Sequence, residues 1–477
     1  MAESSWFCAV NSSPQHYDFD VAIIGGGSAG YAAANAAAGF GLKTVVIEGG
    51  REVGGLCILR GCMPTKALLH AAEVLHTARK SALWGLAPKE ISFAWERVLA
   101  RKDRLIAEFA QYRSAQLASG KFEFIRSMAA FDDPHTIRLE NGGRLTAANF
   151  ILATGSKVAP GPWPELQQLG CLSSDEALHL RALPRSIIIL GGGAVAVEFA
   201  QIFARFDVEV TLVQRSSHLL HEFEPEAAEE LEQALVREGI HLHTGTKITG
   251  FRRHEGKKVV SFVWRNQSVE TVADEIFNGL GRRGNIAGLG LERAGVAAER
   301  DWIRVDSKLR TSAPHIFAAG DCTSPDAIVH VAVRQGEIAA WNIAHPSQPK
   351  ELDQRLRLHV VFTQPRLAAV GLDERAARAQ QIPFLAASYR FADHGKSMIQ
   401  DELDGFVKLL ANPESGEILG GSVVGPQGGE LIHEIVAAMQ KRMTVHELAA
   451  MPHYHPTLAE IWTYPAEELA GQITGGK

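Results

Sequence analysis

The sequence predicts an α/β protein in which two doubly wound parallel units are followed by a smaller α+β region. Three observations lead there. A strand, a glycine-rich turn, a helix and a second strand follow one another in DFDVAIIGGGSAGYAAANAAAGFGLKTVVIEGG, and again in SIIILGGGAVAVEFAQIFARFDVEVTLVQRSSHLL. Their strands are continuous apolar runs, as expected where a parallel sheet is covered on both faces. From about Glu351 the glycine pattern disappears and strands and helices simply alternate. At 477 residues the chain exceeds a single core, so about two to four domains are expected.

In the first unit Val21–Ile24 forms the strand and residues 28–38 the helix, with Gly25, Gly27 and Gly30 between them as GxGxxG. One glycine permits the tight turn, the next admits a pyrophosphate to the backbone amides, and the last lets helix and strand pack closely. The second strand, residues 44–47, ends in Glu48, placed to bind a ribose hydroxyl pair. The order of all five features points to a bound dinucleotide.

GGLCILRGCMPTK comes next, carrying Cys57 and Cys62. On a regular helix five steps of about 100° leave two side chains roughly 140° apart, facing away from each other. Gly54, Gly55 and Gly61 permit irregular backbone and Pro64 suits the first turn of a helix, so the chain can bring the two sulfurs together. A redox-active disulfide is the favoured reading; a pair of buried thiols and half of a zinc site are the alternatives. The remaining cysteines, Cys8, Cys171 and Cys322, stand alone without ligand spacing.

Residues 67–80 then form a helix on which His70 and His76 are surface residues rather than ligands, and residues 93–118 form another. Residues 121–150 alternate as short strands with a turn at Asn141–Gly143. FILATGSKVAP ends this part in a glycine turn, where Thr154 and Gly155 are expected at the cofactor. In the second unit Gly191 and Gly193 repeat the turn, Ala196 replaces the third glycine, and Gln214 beside Arg215 replaces the strand-end acid. An acid there favours NADH, whereas an arginine accommodates a 2′-phosphate, so NADPH is preferred over NADH. Two such units imply two dinucleotides and electron transfer between them. Gly281, in FNGLGRRGN, closes the second nucleotide site, and residues 316–319 deliver Asp321 to a loop, either as an acceptor for a cofactor hydroxyl or as a helix cap.

The expected domains are 17–158 with 285–350, for the first dinucleotide, 159–284 for the second, and a C-terminal domain at 351–477. In the last, FVKLLANPESGEILGGSVVG is a hairpin turning at Asn412–Gly416, and GGELIHEIVAAMQ an amphipathic helix. MPHYHPTLAEIW brings His455 near Glu460, a pairing that fixes an imidazole's tautomer.

Composition narrows the partners. A formal net charge of −6 gives no electrostatic reason to bind nucleic acid. The apolar window 186–206 contains three consecutive glycines and Glu198, and so is a buried strand and helix rather than a membrane span. MAESSWFCAVNSSPQHYDFD lacks a basic segment followed by an apolar run, so a loose leader and a cytoplasmic location are expected.

Together GGLCILRGCMPTK, AAGDC and HYHPTLAE resemble the motifs of the class I pyridine nucleotide-disulfide oxidoreductases, over nearly the whole chain. That family includes dihydrolipoamide dehydrogenase, glutathione reductase and mercuric reductase. The resemblance implies the glutathione reductase-like fold, FAD in the first unit on Gly25–Gly30, Glu48 and Asp321, and NADPH or NADH in the second. It implies Lys66 and Glu198 as an ion pair beside the flavin, Cys62 as the flavin-side thiolate and Cys57 as the sulfur that exchanges with substrate. His455, oriented by Glu460, would come from the other subunit of a homodimer and carry the proton. A small disulfide or dithiol is the expected substrate, dihydrolipoamide first. The alternatives are a metal-ion reductase like mercuric reductase, although AEELAGQITGGK lacks that enzyme's terminal cysteine pair, and a non-catalytic flavoprotein component of a larger complex. GRRGN departs from the family's usual GRRPN at Gly284.

Overall fold

The structure, a computed structural model, describes residues 16–87, 90–324 and 327–473. The expected leader and Cys8 fall largely on residues 1–15, outside the described residues. The chain packs as two compact units. One comprises the chain up to Gly55, Arg113–Gly155 and Gly284–Leu352; the other comprises Leu56–Tyr112, Ser156–Arg283 and the chain from Asp353 onward.

The first unit is built on a parallel sheet. Strand β1 (Phe19–Ile24) is followed by helix α1 (Ser28–Gly39) and strand β2 (Thr44–Glu48). β1 lies between β2 and the strand Arg144–Leu152, in register at Ile24↔Ile47 and Ile24↔Leu152. β2 continues to Glu123–Arg126, and Ile316–Ala318 joins the far side of Arg144–Leu152. Both faces of β1 are covered: Val21 and Ile23 enter one core while Ala22 and Ile24 enter another. This is why the strand reads as an unbroken apolar run, each large aliphatic contributing about 1.5–3 kcal/mol by its burial. The strands Ala129–Asp133 and Thr136–Leu139 extend the sheet antiparallel to Arg144–Leu152, with the expected turn at Asn141–Gly143 held by Asn141 Oδ1 accepting from Gly143 N.

In the second unit a four-stranded parallel sheet runs in the order His241–His243, Glu209–Val213, Ser186–Leu190, Glu275–Asn278. Window 186–206 is therefore a fully buried strand, a glycine turn and the helix Ala194–Arg205. Among the described residues no helix is long and apolar enough to cross a membrane. The last segment folds as a five-stranded antiparallel sheet that includes the expected hairpin of Phe406–Ala411 and Ile418–Gly425. Helix Gly428–Gln440 covers this sheet through Leu431, Ile432, Ile435 and Met439.

The cysteine segment forms two helical pieces, α2 (Gly55–Leu59) and α3 (Cys62–Arg79), instead of a single helix starting at residue 67. Gly61 breaks the run with φ −128° and ψ −114°. Pro64 then falls in the first turn of α3, where its missing N–H has no intrahelical partner to lose. α3 buries Leu68, Leu69, Ala72 and Leu75 in the same core as Val197 and Ala200 of helix Ala194–Arg205.

Candidate active site

At the end of β1 the backbone turns through Gly25 at φ 109°, a conformation open to glycine. A Cβ at Gly25 would lie 2.3 Å from the Ala153 carbonyl oxygen, and one at Gly30 would lie 1.8 Å from the Gly25 carbonyl oxygen. Gly27 is the N-cap of α1 and no side chain caps the helix, so its first-turn amides stay available to an anion. Glu48 closes this end: Oε2 accepts from Gly26 N at 2.7 Å and Oε1 from Gly50 N at 2.6 Å. Each oxygen keeps a further lone pair for a ribose hydroxyl. Thr154 Oγ1 is buried with the Cys322 sulfur beside it, next to Gly155 at φ 72°. Asp321 follows Gly320, which packs against Ala29 in the first turn of α1. An open helix terminus, close glycines and a strand-end acid together fit the pyrophosphate and ribose of a dinucleotide such as FAD.

The second glycine turn repeats the first. Gly191 also has φ 109°, and a Cβ there would lie 2.4 Å from the Gly279 carbonyl oxygen. Ala196 in place of the third glycine is explained by its neighbour: Gly279 stands where the first unit has Ala153, and a Cβ at Gly279 would meet Ala196 Cβ at 2.9 Å. The small and the larger residue have exchanged sides of one contact. Gly193 caps helix Ala194–Arg205 without a side-chain partner, leaving its amides open as Gly27 does. Gln214 is buried against Gly192 and its Oε1 accepts from Arg215 N at 3.0 Å, while the Arg215 side chain is exposed. Gly281 has φ 105° and its carbonyl accepts from Ala159 N at 3.0 Å. At Gly284 a Cβ would lie 2.4 Å from the Asp301 carbonyl oxygen, so the departure from proline matches a strand with no room for a side chain.

Cys57 sits on α2 and Cys62 opens α3, with Gly61 between them. The two are free thiols, hydrogen-bonded to each other: the reduced form of the expected pair. They are not equivalent. The hydrogen bond from Cys57 lowers the Cys62 thiol to about 7, Lys66 adds to this, and burial opposes it. Cys57 is pushed well above its ordinary value, first by that same hydrogen bond and then by burial. Cys62 is thus the thiolate and Cys57 the proton-bearing partner. One turn along α3, Lys66 Nζ donates to both oxygens of the buried Glu198 carboxylate at 2.9 and 2.8 Å, and Glu198 Oε1 also accepts from Phe362 N at 3.1 Å. Lys66 Nζ also lies 4.5 Å from the centre of the Phe362 ring.

His455 and Glu460 form a separate pair. His455 Nδ1 lies 3.0 Å from Glu460 Oε2; the imidazole is 78% exposed, and the carboxylate is buried. Glu460 Oε1 accepts from Thr457 N at 3.3 Å. Within one chain the groups acting most strongly on Cys62 are Cys57, Lys66 and Glu198, and His455 is not among them. Sequence reasoning missed a third member of this pair, His394. It is fully buried, with Nε2 3.4 Å from Glu460 Oε1. Nothing in the FADHGKS stretch marks it, because its partner lies far along the chain.

The geometry defines a dithiol oxidoreductase with two dinucleotide sites. The family model described as pyridine nucleotide-disulphide oxidoreductase matches residues 19–341, and the model of that family's dimerisation domain matches residues 358–466. The dihydrolipoyl dehydrogenase of Bacillus subtilis (strain 168) is 34% identical over 458 residues, covering 93% of this chain and 96% of the relative. That of Thermus scotoductus is 36% identical over 461 residues, covering 95% and 98%. Among solved structures, the HOCl-induced flavoprotein disulfide reductase RclA from Escherichia coli superposes with a TM-score of 0.83 at 24% identity, covering 94% of this chain and 99% of that one, a likeness of fold. The chain belongs to the pyridine nucleotide-disulfide oxidoreductase family. It is an FAD-dependent enzyme that works with NAD(P)H.

Proposed function

We propose that the enzyme is a homodimer that couples NAD(P)H to a small disulfide through Cys57 and Cys62, with dihydrolipoamide and lipoamide as the substrate pair. The observation that carries this reading is the asymmetry of the two sulfurs. In thiol–disulfide exchange the sulfur of lower pKa leaves faster. In the oxidised enzyme a substrate thiolate attacks Cys57 Sγ, the Cys57–Cys62 bond breaks, and Cys62 departs as thiolate. The second substrate thiol then attacks the mixed disulfide, closing the substrate's own disulfide and leaving Cys57 as thiol. Two electrons and one of the substrate's two protons stay on the pair, as the Cys62 thiolate and the Cys57 thiol, and the other proton is given up when the attacking substrate thiol ionises. Bound FAD supplies the two-electron couple between these sulfurs and the nicotinamide.

His455 takes the substrate proton in this reading. Its ring is exposed and oriented by Glu460 and is not among the groups acting most strongly on Cys62 of its own chain, which favours delivery across a two-fold interface. Lys66, held by Glu198, keeps positive charge near Cys62. Gly25, Gly27, Gly30, Glu48, Thr154, Gly155 and Asp321 serve FAD; Gly191, Gly193, Gln214, Arg215 and Gly281 serve the nicotinamide nucleotide. The exposed guanidinium of Arg215 at the strand end favours NADPH.

A steady-state screen of lipoamide, glutathione disulfide and Hg(II), each with NADH and NADPH, tests the assignment. Lipoamide turnover lost in Cys57→Ser with flavin retained is the expected result. Faster nicotinamide oxidation with Hg(II) than with any disulfide overturns it.

A further inference from the structure

We infer that His394 is a positioning residue for the acid–base pair, a buried second imidazole that braces Glu460 from the side opposite His455. The inference rests on the reading that His455 carries protons at the sulfurs. His394 caps the helix Gly395–Gln400 and its side chain is wholly enclosed. Its Nδ1 lies 3.0 Å from Ser397 Oγ, itself buried. A hydroxyl donating to Nδ1 fixes the proton on Nε2, which points toward Glu460 Oε1 at 3.4 Å. That distance is long for an N–H···O bond, and the Thr457 backbone is the other group that faces the ring. An enclosed donor needs an acceptor, and catalytic hydrogen bonds are often long before substrate is bound. Of the two groups facing Nε2, the Glu460 carboxylate is the charged one and therefore the stronger acceptor for this proton.

The surroundings keep His394 neutral. Burial lowers its proton affinity, Glu460 opposes that, and a charged His455 lowers it further. The Thr457 backbone faces it as well. Tyr464 lies edge-on at 6.4 Å, stacked on Tyr389, and Phe391 covers another side. When His455 gains a proton, the positive charge stays on the exposed ring while His394 holds the carboxylate in place. Three donors then share the Glu460 charge: Thr457 N, His455 and His394. Removing the last concentrates that charge on His455 and raises its affinity for a proton.

The test follows the His455 Cε1–H resonance through a pH titration of the holoenzyme labelled in histidine, assigned by its loss in His455→Gln. His394→Leu fills the space without a donor, and the His455 midpoint is expected to rise by about half a unit, about threefold in proton affinity. His394→Gln keeps an N–H near the position of Nε2 and is expected to leave the midpoint in place. Should His394→Leu fail to fold, Ser397→Ala releases the tautomer and is expected to move the midpoint in the same direction. An unchanged midpoint in the folded Leu variant, or in Ser397→Ala where Leu fails to fold, overturns the proposal, as does a Gln variant that shifts as far as Leu. Lipoamide turnover by His455→Gln separates the two levels. Full activity there refutes the proton-carrying role and this inference with it, whereas lost activity with an unmoved midpoint refutes only the part given to His394.

Discussion

Replacing Cys57 by alanine removes the largest influence holding Cys62 near 7, the hydrogen bond between the two sulfurs. What remains is burial, which raises the Cys62 pKa, and the weaker pull of Lys66, so the thiol returns to about 9 or above. A rise of 2 units takes the thiolate fraction at pH 7 from about one half to about 1%, on the order of a 50-fold loss. Thiolate nucleophilicity rises with pKa at a slope of about 0.4–0.5, which restores roughly eightfold. The net fall in alkylation rate at pH 7 is therefore about sixfold, while the midpoint of the rate–pH curve moves by the full 2 units. The assay is iodoacetamide labelling of the reduced holoenzyme across pH, with Cys62 followed by peptide mass to separate it from Cys171 and Cys322. Cys57→Ser, which keeps an O–H donor, should hold the midpoint nearer 7. A Cys57→Ala midpoint still near 7 would refute the asymmetry argument, because the low pKa would then have another origin.

Lys66→Met leaves the Glu198 carboxylate buried with only the Phe362 amide, and should lower stability by about 3 kcal/mol. This is the low end for breaking a buried pair, since the Lys66 side chain is 32% exposed. In urea, Lys66→Met with Glu198→Gln should be more stable than Lys66→Met alone; equal midpoints would remove the ion pair from the explanation. Arg215→Ala should lower kcat/KM for NADPH about tenfold and leave NADH unchanged, as expected for one exposed charge-assisted contact, and a parallel fall with both nucleotides would count against the 2′-phosphate role. Glu48→Ala deprives Gly26 and Gly50 of their acceptor and should weaken FAD binding about 10- to 100-fold, measured by flavin release on dilution.

Much of this enzyme was legible from local order. Strand, glycines, helix and terminal acid occur within one short stretch, and sterics alone decide what Gly25 and Gly30 must be. The apolar run Val21–Ile24 reports burial on both faces because each alternate residue meets a different core. The cysteine pair was visible because four intervening residues and a glycine leave few ways to arrange two sulfurs.

What local order does not contain is partnership at a distance. Ala196 in place of the third glycine has its reason in a contact with Gly279 far along the chain, and the Lys66–Glu198 pair was legible only through the family resemblance, because nothing local joins two residues 132 positions apart. His394 gave no signal at all. The sequence determined which residue types stand at each turn, because those turns are governed by backbone sterics and near neighbours. The family resemblance implied which sulfur bears the charge; the tertiary structure supplied the physical reason for it and alone showed which buried imidazole faces Glu460, because proton affinity is set by burial and by partners that the fold, not the chain order, brings near.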